Sequence, residues 1–318
     1  MQTYLKTKPV WSQLLLFMGM AFGLFMICSL FGAMLLSKVT GISIEQVQDV
    51  KNWDPNNTNM IFYVRSLLLI QFLSLFAIPS FLFSYFSDPQ PLQYLRIQKP
   101  IKSIYWLLAV TALVIAIPFV DLMGWVNQKI AFGDAQQWMK TMEEDAARQI
   151  QFMLNKHTVG ELIINIFFIA VLAGIGEELF FRGILQRMFI KVCRHPWQGI
   201  IITAALFSAF HLQFFGFIPR FLLGIVLGAI YWYSGSLLTA MLAHTVYNAL
   251  MIVIVYLNPE MLKNLDATVM QQTTMQMIIT GIISLLLLIA VLWQMKKLSS
   301  VTFESVYKND NALTEEPH

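Results

Sequence analysis

The residues able to do chemistry crowd into one stretch of this sequence, between Glu177 and Asn248. The first group is Gly174-Ile175-Gly176-Glu177-Glu178-Leu179-Phe180-Phe181-Arg182. Glu178 and Arg182 are four residues apart, so on a helix they share a face and can pair. An arginine fork binds a carboxylate through two parallel hydrogen bonds. Glu177 is rotated away by about 100° and is left without that partner. Desolvation raises the pKa of an unpaired buried carboxylate, which suits a general base or acid. The second group is Phe207-Ser208-Ala209-Phe210-His211, and the third is His244-Thr245-Val246-Tyr247-Asn248. Taken singly, each has a plainer explanation. The glutamates could be hydrated at a helix end, His211 could be a packed histidine, and His244 with Asn248 could be hydrogen-bond glue between helices. Together they suit activation of a water for hydrolysis. In one route Glu177 and His211 take the water's proton while His244 and Asn248 hold an oxyanion. In the other, Glu177, His211 and His244 bind zinc, which acidifies the water. The chain has no H-E-x-x-H helix, and Ser208 and Cys193 carry no mark of an activated nucleophile. No cofactor is required by the first route; zinc is the one the second would need.

The setting of these residues is apolar. Hydrophobic residues make up 57% of the 318 and charged residues 12%, about half the share of a soluble domain. This excludes a disordered chain and a disulfide scaffold, and leaves an all-α polytopic membrane helix bundle. Apolar runs of about 20 residues can span a bilayer. They occur at Trp11–Leu36, Met60–Phe86, Ile104–Val126, Leu162–Phe189, Gly199–Phe215, Phe217–Tyr233, Leu237–Leu257 and Met275–Met295, about eight transmembrane helices. An ionisable side chain at the centre of such a helix costs at least about 2.5 kcal/mol, so a cluster of them there needs a reason.

With the N-terminus in the cytoplasm, the inside segments collect Lys6, Lys8, Arg96, Lys99, Lys102, Arg187, Lys191, Arg194, Lys296, Lys297 and Lys308. The outside segments carry Arg220, Lys263 and most of the loop acids, among them Glu143, Glu161, Glu260 and Asp266. The positive-inside rule therefore puts both termini in the cytoplasm, as expected of a bacterial inner membrane protein. In the outer loop between the third and fourth helices Trp138, Met142, Ala146 and Ile150 recur every fourth residue, which predicts an amphipathic helix on the membrane or on the bundle top. The polar end of the chain, through Glu315, Glu316, Pro317 and His318, reads as a disordered cytoplasmic tail. The expected organisation is 1–159 for N-terminal helices plus the amphipathic helix, 160–257 for the core bearing the chemistry, 258–297 for the last helix and 298–318 for the tail. His244 would lie roughly 10 Å deep and His211 roughly 18 Å deep, within reach of a common layer. Gly224 and Gly228 would let the sixth helix approach its neighbours closely. No nucleic-acid module or internal repeat occurs, and nothing in the sequence sets an oligomeric state.

The ordered set Glu177-Glu178-x-x-x-Arg182, Phe207-x-x-x-His211 and His244-x-x-x-Asn248 resembles the CPBP family, the CAAX-protease and bacteriocin-processing (Abi) membrane endopeptidases. The resemblance covers about 160–257. It implies an intramembrane endopeptidase that acts on a peptide or protein, with its site open to the cytoplasm. It further implies that Glu177 activates water with His211, that His244 and Asn248 form the oxyanion site, and that Glu178 and Arg182 support the geometry. Whether zinc takes part is left open. Two alternatives come from other classes. One is a non-catalytic immunity or scaffold protein on the same fold. The other is a proton-coupled transporter, since intramembrane Glu and His also form proton relays.

Overall fold

The computed structural model describes residues 4–130, 133–260 and 275–311. Lys263, Asp266 and Glu315 to His318 fall outside the described residues. The described chain is an all-α bundle without strands, and seven of its helices are long and apolar enough to cross a membrane. These are α1 (Val10–Thr40), α2 (Thr58–Ser87), α3 (Ile104–Gln128), α5 (Val159–Cys193), α7 (Phe217–Ser234), α8 (Leu237–Leu257) and α9 (Met275–Leu298). The amphipathic helix is α4 (Gln136–Leu154), and α6 (Pro196–Phe210) is a short apolar helix. The chain is an integral membrane protein. One end of the bundle carries α4 and the 211–216 turn; the other, the basic end, carries the loops at 95–103 and 194–196.

The fifth predicted span needs correction. Expected over 199–215, it is instead the 15-residue helix α6, about 22 Å long and shorter than a hydrocarbon core. Beyond its end Asn127 of α3, itself fully buried, holds the backbone of the turn and the start of α7. The Asn127 amide donates to the Phe214 carbonyl at 2.9 Å and accepts from the Ile218 N–H at 2.6 Å. Leu212 closes the turn at φ 54°, an uncommon conformation for a residue with a Cβ. His211 therefore caps a helix end inside the bundle rather than riding mid-helix.

Side-chain insertions tie the outer helices to the core. Pro118 interrupts α3, and Ser284 of α9 enters the gap, donating to the Ile115 carbonyl at 2.5 Å and accepting from the Phe119 N–H at 3.2 Å. The expected amphipathic helix packs on the bundle's end: Phe152 meets Trp53 with rings 5.0 Å apart, and Trp138 meets Phe214 at 5.7 Å. Both cysteines, Cys28 and Cys193, are free.

The tail also needs correction. Residues 303–311, expected to be disordered, form helix α10 (Phe303–Asn311). Thr302 and Ser305 cap its start reciprocally. Tyr307 is buried against the basic end, its hydroxyl donating to the Arg187 carbonyl at 2.7 Å. The Arg187 guanidinium lies 4.3 Å from the Tyr94 ring and 5.4 Å from the Tyr307 ring. The net polarity of the tail concealed one apolar edge. Limited proteolysis tests this docking. The wild-type segment 299–311 should resist cleavage, and Tyr307→Ala should release it, since truncating a buried aromatic costs about 3–5 kcal/mol. A wild-type tail cut at the rate of the variant would contradict the docking.

Candidate active site

Helix α5 carries the first group of polar residues. Its π-helical turn at Leu179–Gln186 adds residues to the turn and aims both Arg182 and Gln186 at α7. The Arg182 Nη2 donates to the Gly224 carbonyl at 3.0 Å, and the Gln186 amide donates to the Gly228 carbonyl at 3.0 Å. The two glycines allow this approach. A Cβ at Gly224 would stand 3.1 Å from the Ala204 Cα of α6, and one at Gly228 would stand 2.7 Å from the Gln186 Oε1.

Glu178 and Arg182 form a fully buried pair, Nη1 to Oε1 at 2.6 Å. The same Oε1 accepts from the His244 Nδ1 at 2.9 Å. The Arg182 guanidinium lies over the Phe207 ring at 4.7 Å. One ion pair thus joins α5 to α6, α7 and α8. Glu177 keeps a partly exposed side chain, 16%, and its Oε2 is 3.9 Å from the His244 Nε2. The His211 Nδ1 donates to the Phe207 carbonyl at 2.8 Å, which leaves Nε2 as an acceptor when the ring is neutral. The charges of Glu177 and His244 both act on His211. Asn248, one turn beyond His244, makes no hydrogen bond among the described residues. Glu177, Glu178, Arg182, His211 and His244 are thus linked to one another, and Asn248 lies one turn beyond His244 on the same helix.

Close packing holds α5 against α8. A Cβ on Gly174 would be 2.4 Å from the Thr245 Oγ1 and 2.8 Å from its backbone nitrogen. Gly176 packs equally tightly on Phe72 and Phe76 of α2.

Two expectations about access exclude each other. From Glu178 to Ile190, and from Val226 to Leu237, every residue is buried, so the site is closed toward the basic end. Its polar continuation runs the other way, through Gln213 and Arg220 to Glu143 on α4. A mouth at the α4 end cannot face the cytoplasm if the basic loops do.

Among the described residues no three His, Cys, Asp or Glu side chains are grouped so as to hold a metal ion. The Nδ1 atoms of both histidines are engaged by protein oxygens, as the second ring nitrogen of a metal-bound histidine usually is, which leaves each Nε2 as the atom a metal would take.

The sequence model of the type II CAAX prenyl endopeptidase Rce1-like family matches residues 159–250, the stretch that holds all six residues. This segment is similar to that family's domain. It starts with α5 and ends within α8. A curated relative in Escherichia coli, the "Uncharacterized 24.3 kDa protein", is 33% identical over 91 residues, which are 27% of this chain and 42% of the relative. The matched stretch thus spans less than half of that relative's length. No solved structure matches the chain.

Several residues outside the motifs, most of them beyond residues 159–250, support the site. Asn127 shapes the His211 turn. Arg65 of α2 pairs with Glu161 at the start of α5 and donates to the Asn165 Oδ1 at 3.1 Å. The Asn165 amide in turn donates to the Met153 carbonyl of α4 at 2.7 Å. Asp121 of α3 acts electrostatically on Tyr247. For Arg65 and Asp121 the signal stood in the sequence, since each is an ionisable residue within an apolar run. Asn127, at the end of its run, gave none.

Gly174→Ala should lower the thermal midpoint, because overpacking costs about 1–3 kcal/mol. Adding Thr245→Ala should restore only part of that loss, since the backbone clash remains. Full recovery in the double variant, followed by thermal unfolding in detergent, would show that only the side chain matters.

Proposed function

We propose that this chain is an intramembrane endopeptidase of the CAAX-protease type, which hydrolyses a peptide bond with a water activated by Glu177 and His211. The observation that carries this reading is the separation of the two glutamates. Glu178 is consumed by hydrogen bonds from Arg182 and His244, whereas Glu177 stands 3.9 Å from the His244 Nε2 without a hydrogen bond to it and borders the partly exposed side of the site. The family match supports the reaction class.

In this mechanism a water sits between the Glu177 carboxylate and the bare His211 Nε2 and donates a hydrogen to each. Its lone pair is then free to attack a carbonyl carbon. As the C–O bond forms, Glu177 takes the proton and the carbonyl electrons move onto oxygen. The Asn248 amide can donate to that oxyanion. His244 can donate from Nε2 only when it carries both protons, because Nδ1–H is committed to Glu178. When the C–N bond breaks, the proton held by Glu177 passes to the departing amine. Glu178 and Arg182 are positioning residues in this scheme. The substrate is a peptide or protein segment that reaches the site along the bilayer or through the mouth at the α4 end. The basic loops support an orientation with both termini in the cytoplasm, and a bacterial inner membrane is the expected location.

The test uses the full-length protein in detergent with a peptide library, with and without a strong zinc chelator. Wild type should cleave, and Glu177→Gln and His211→Ala should not, while their thermal midpoints stay close to wild type. Glu178→Gln should instead unfold early, because a buried arginine stripped of its partner costs about 3–5 kcal/mol. Cleavage abolished by the chelator and restored by zinc would replace the carboxylate mechanism with a metal one. A Glu177→Gln protein that still performs the cellular role would remove catalysis from the account and favour an immunity or scaffold protein.

A further inference from the structure

Arg220 belongs to none of the motifs above, yet it is the second guanidinium that feels the charge of Glu177; the first, Arg182, is consumed by Glu178. It also acts on His211. It stands in the first turn of α7, on the open side of the site. Gln213 aims it: the Arg220 Nη2 donates to the Gln213 Oε1 at 2.6 Å, and Nη1 donates to the Gln213 carbonyl at 3.3 Å. The 216 position is a glycine, and a Cβ there would fall 2.5 Å from Nη2, inside the space the guanidinium occupies.

The carboxylate facing it is poorly matched. Glu143 of α4 brings its Oε1 to 3.9 Å from Nη2, an ion pair without a hydrogen bond. The Glu143 Oε2 is buried with no partner. Burial pushes the Glu143 carboxyl up, against the pull of Arg220 and of a backbone N–H at Phe215. Two partly buried ions at this separation do not recover what they lose by leaving water. A carboxylate free to move closer would bind the fork better. An anionic peptide approaching Glu177 also meets repulsion that a neighbouring cation would cancel.

We infer that Arg220 is a specificity residue that holds a carboxylate of the peptide beside Glu177 and His211, and that Glu143 is the resting counter-ion which this carboxylate displaces. The identity of the ligand as a peptide rests on the protease reading; the anion site itself does not. The carboxylate can be the peptide's C-terminus or an acidic side chain.

The test measures binding in a Glu177→Gln background, so that cleavage does not consume the ligand. Three fluorescent peptide pools of matched composition are offered to the full chain in nanodiscs. One ends in a free carboxylate, one in an amide, and one in an amide with a single internal glutamate. A carboxylate pool should be retained roughly ten- to a hundredfold more tightly than the plain amide pool. Which of the two carboxylate pools is preferred identifies the source. Arg220→Gln should erase the preference, and Arg220→Lys should keep part of it, having charge without a fork. Glu143→Gln should tighten binding; a contact that merely clamped α4 in place would instead loosen it. Equal retention of all pools, retention of none, or a preference that survives Arg220→Gln overturns the inference. Cleavage by the unaltered chain, assayed in parallel, tests the protease reading separately. Carboxylate preference without cleavage would leave the anion site standing and the protease reading without support.

Discussion

The buried pair of Glu178 and Arg182 is the contact on which the site depends. Taking two ions out of water costs several kcal/mol each, and only good geometry with further hydrogen bonds offsets that. Here the additional partners come from other helices: His244 from α8, the Gly224 carbonyl from α7 and the Phe207 ring from α6. Each is required by the pair, so the pair dictates where three neighbouring helices stand. An apolar pair at these positions would pack as well and specify much less. The pair also decides which glutamate is free, because a carboxylate that satisfies both an arginine and a histidine has little left to offer a water.

Two geometric devices bring the remaining residues to the pair. Glycines at 174, 224 and 228 let backbones approach to distances that a Cβ would prevent. In a membrane, where lipid tails are as apolar as leucine, such packing supplies much of the drive for helices to associate. The other device is the shortness of α6. Because the helix stops inside the bundle, His211 stands at a helix end with its Nδ1 on the Phe207 carbonyl and within electrostatic reach of Glu177. Asn127, from a helix outside residues 159–250, holds the turn that follows by bonding the Phe214 carbonyl and the Ile218 N–H. The flanking helices are therefore part of how the domain is built. α3 shapes the turn at His211, α2 braces α5 through Arg65, and α4 closes over the mouth.

Much of this was legible in the sequence because the bilayer imposes a severe rule. Apolar runs of spanning length are helices, and ionisable residues within them stand out. The boundaries of α8, the pairing of Glu178 with Arg182 and the amphipathic helix over 136–154 all follow from composition and period. Other features follow from partners distant in sequence. The turn after α6 depends on a side chain more than 80 residues earlier, and the docking of the tail depends on Tyr307 reaching the Arg187 carbonyl. No local pattern records either contact.

By itself, then, the sequence determined an all-helical membrane bundle, the family its core resembles and the set of polar residues worth attention, since each of these depends on residue type and short-range spacing. Tertiary structure alone decided that His244 joins the Glu178–Arg182 pair, which end of the bundle the polar path reaches, and that Arg220 stands beside the site. Those outcomes turn on which side chains meet across helices, and an ion in an apolar medium goes wherever a partner from another helix can satisfy it.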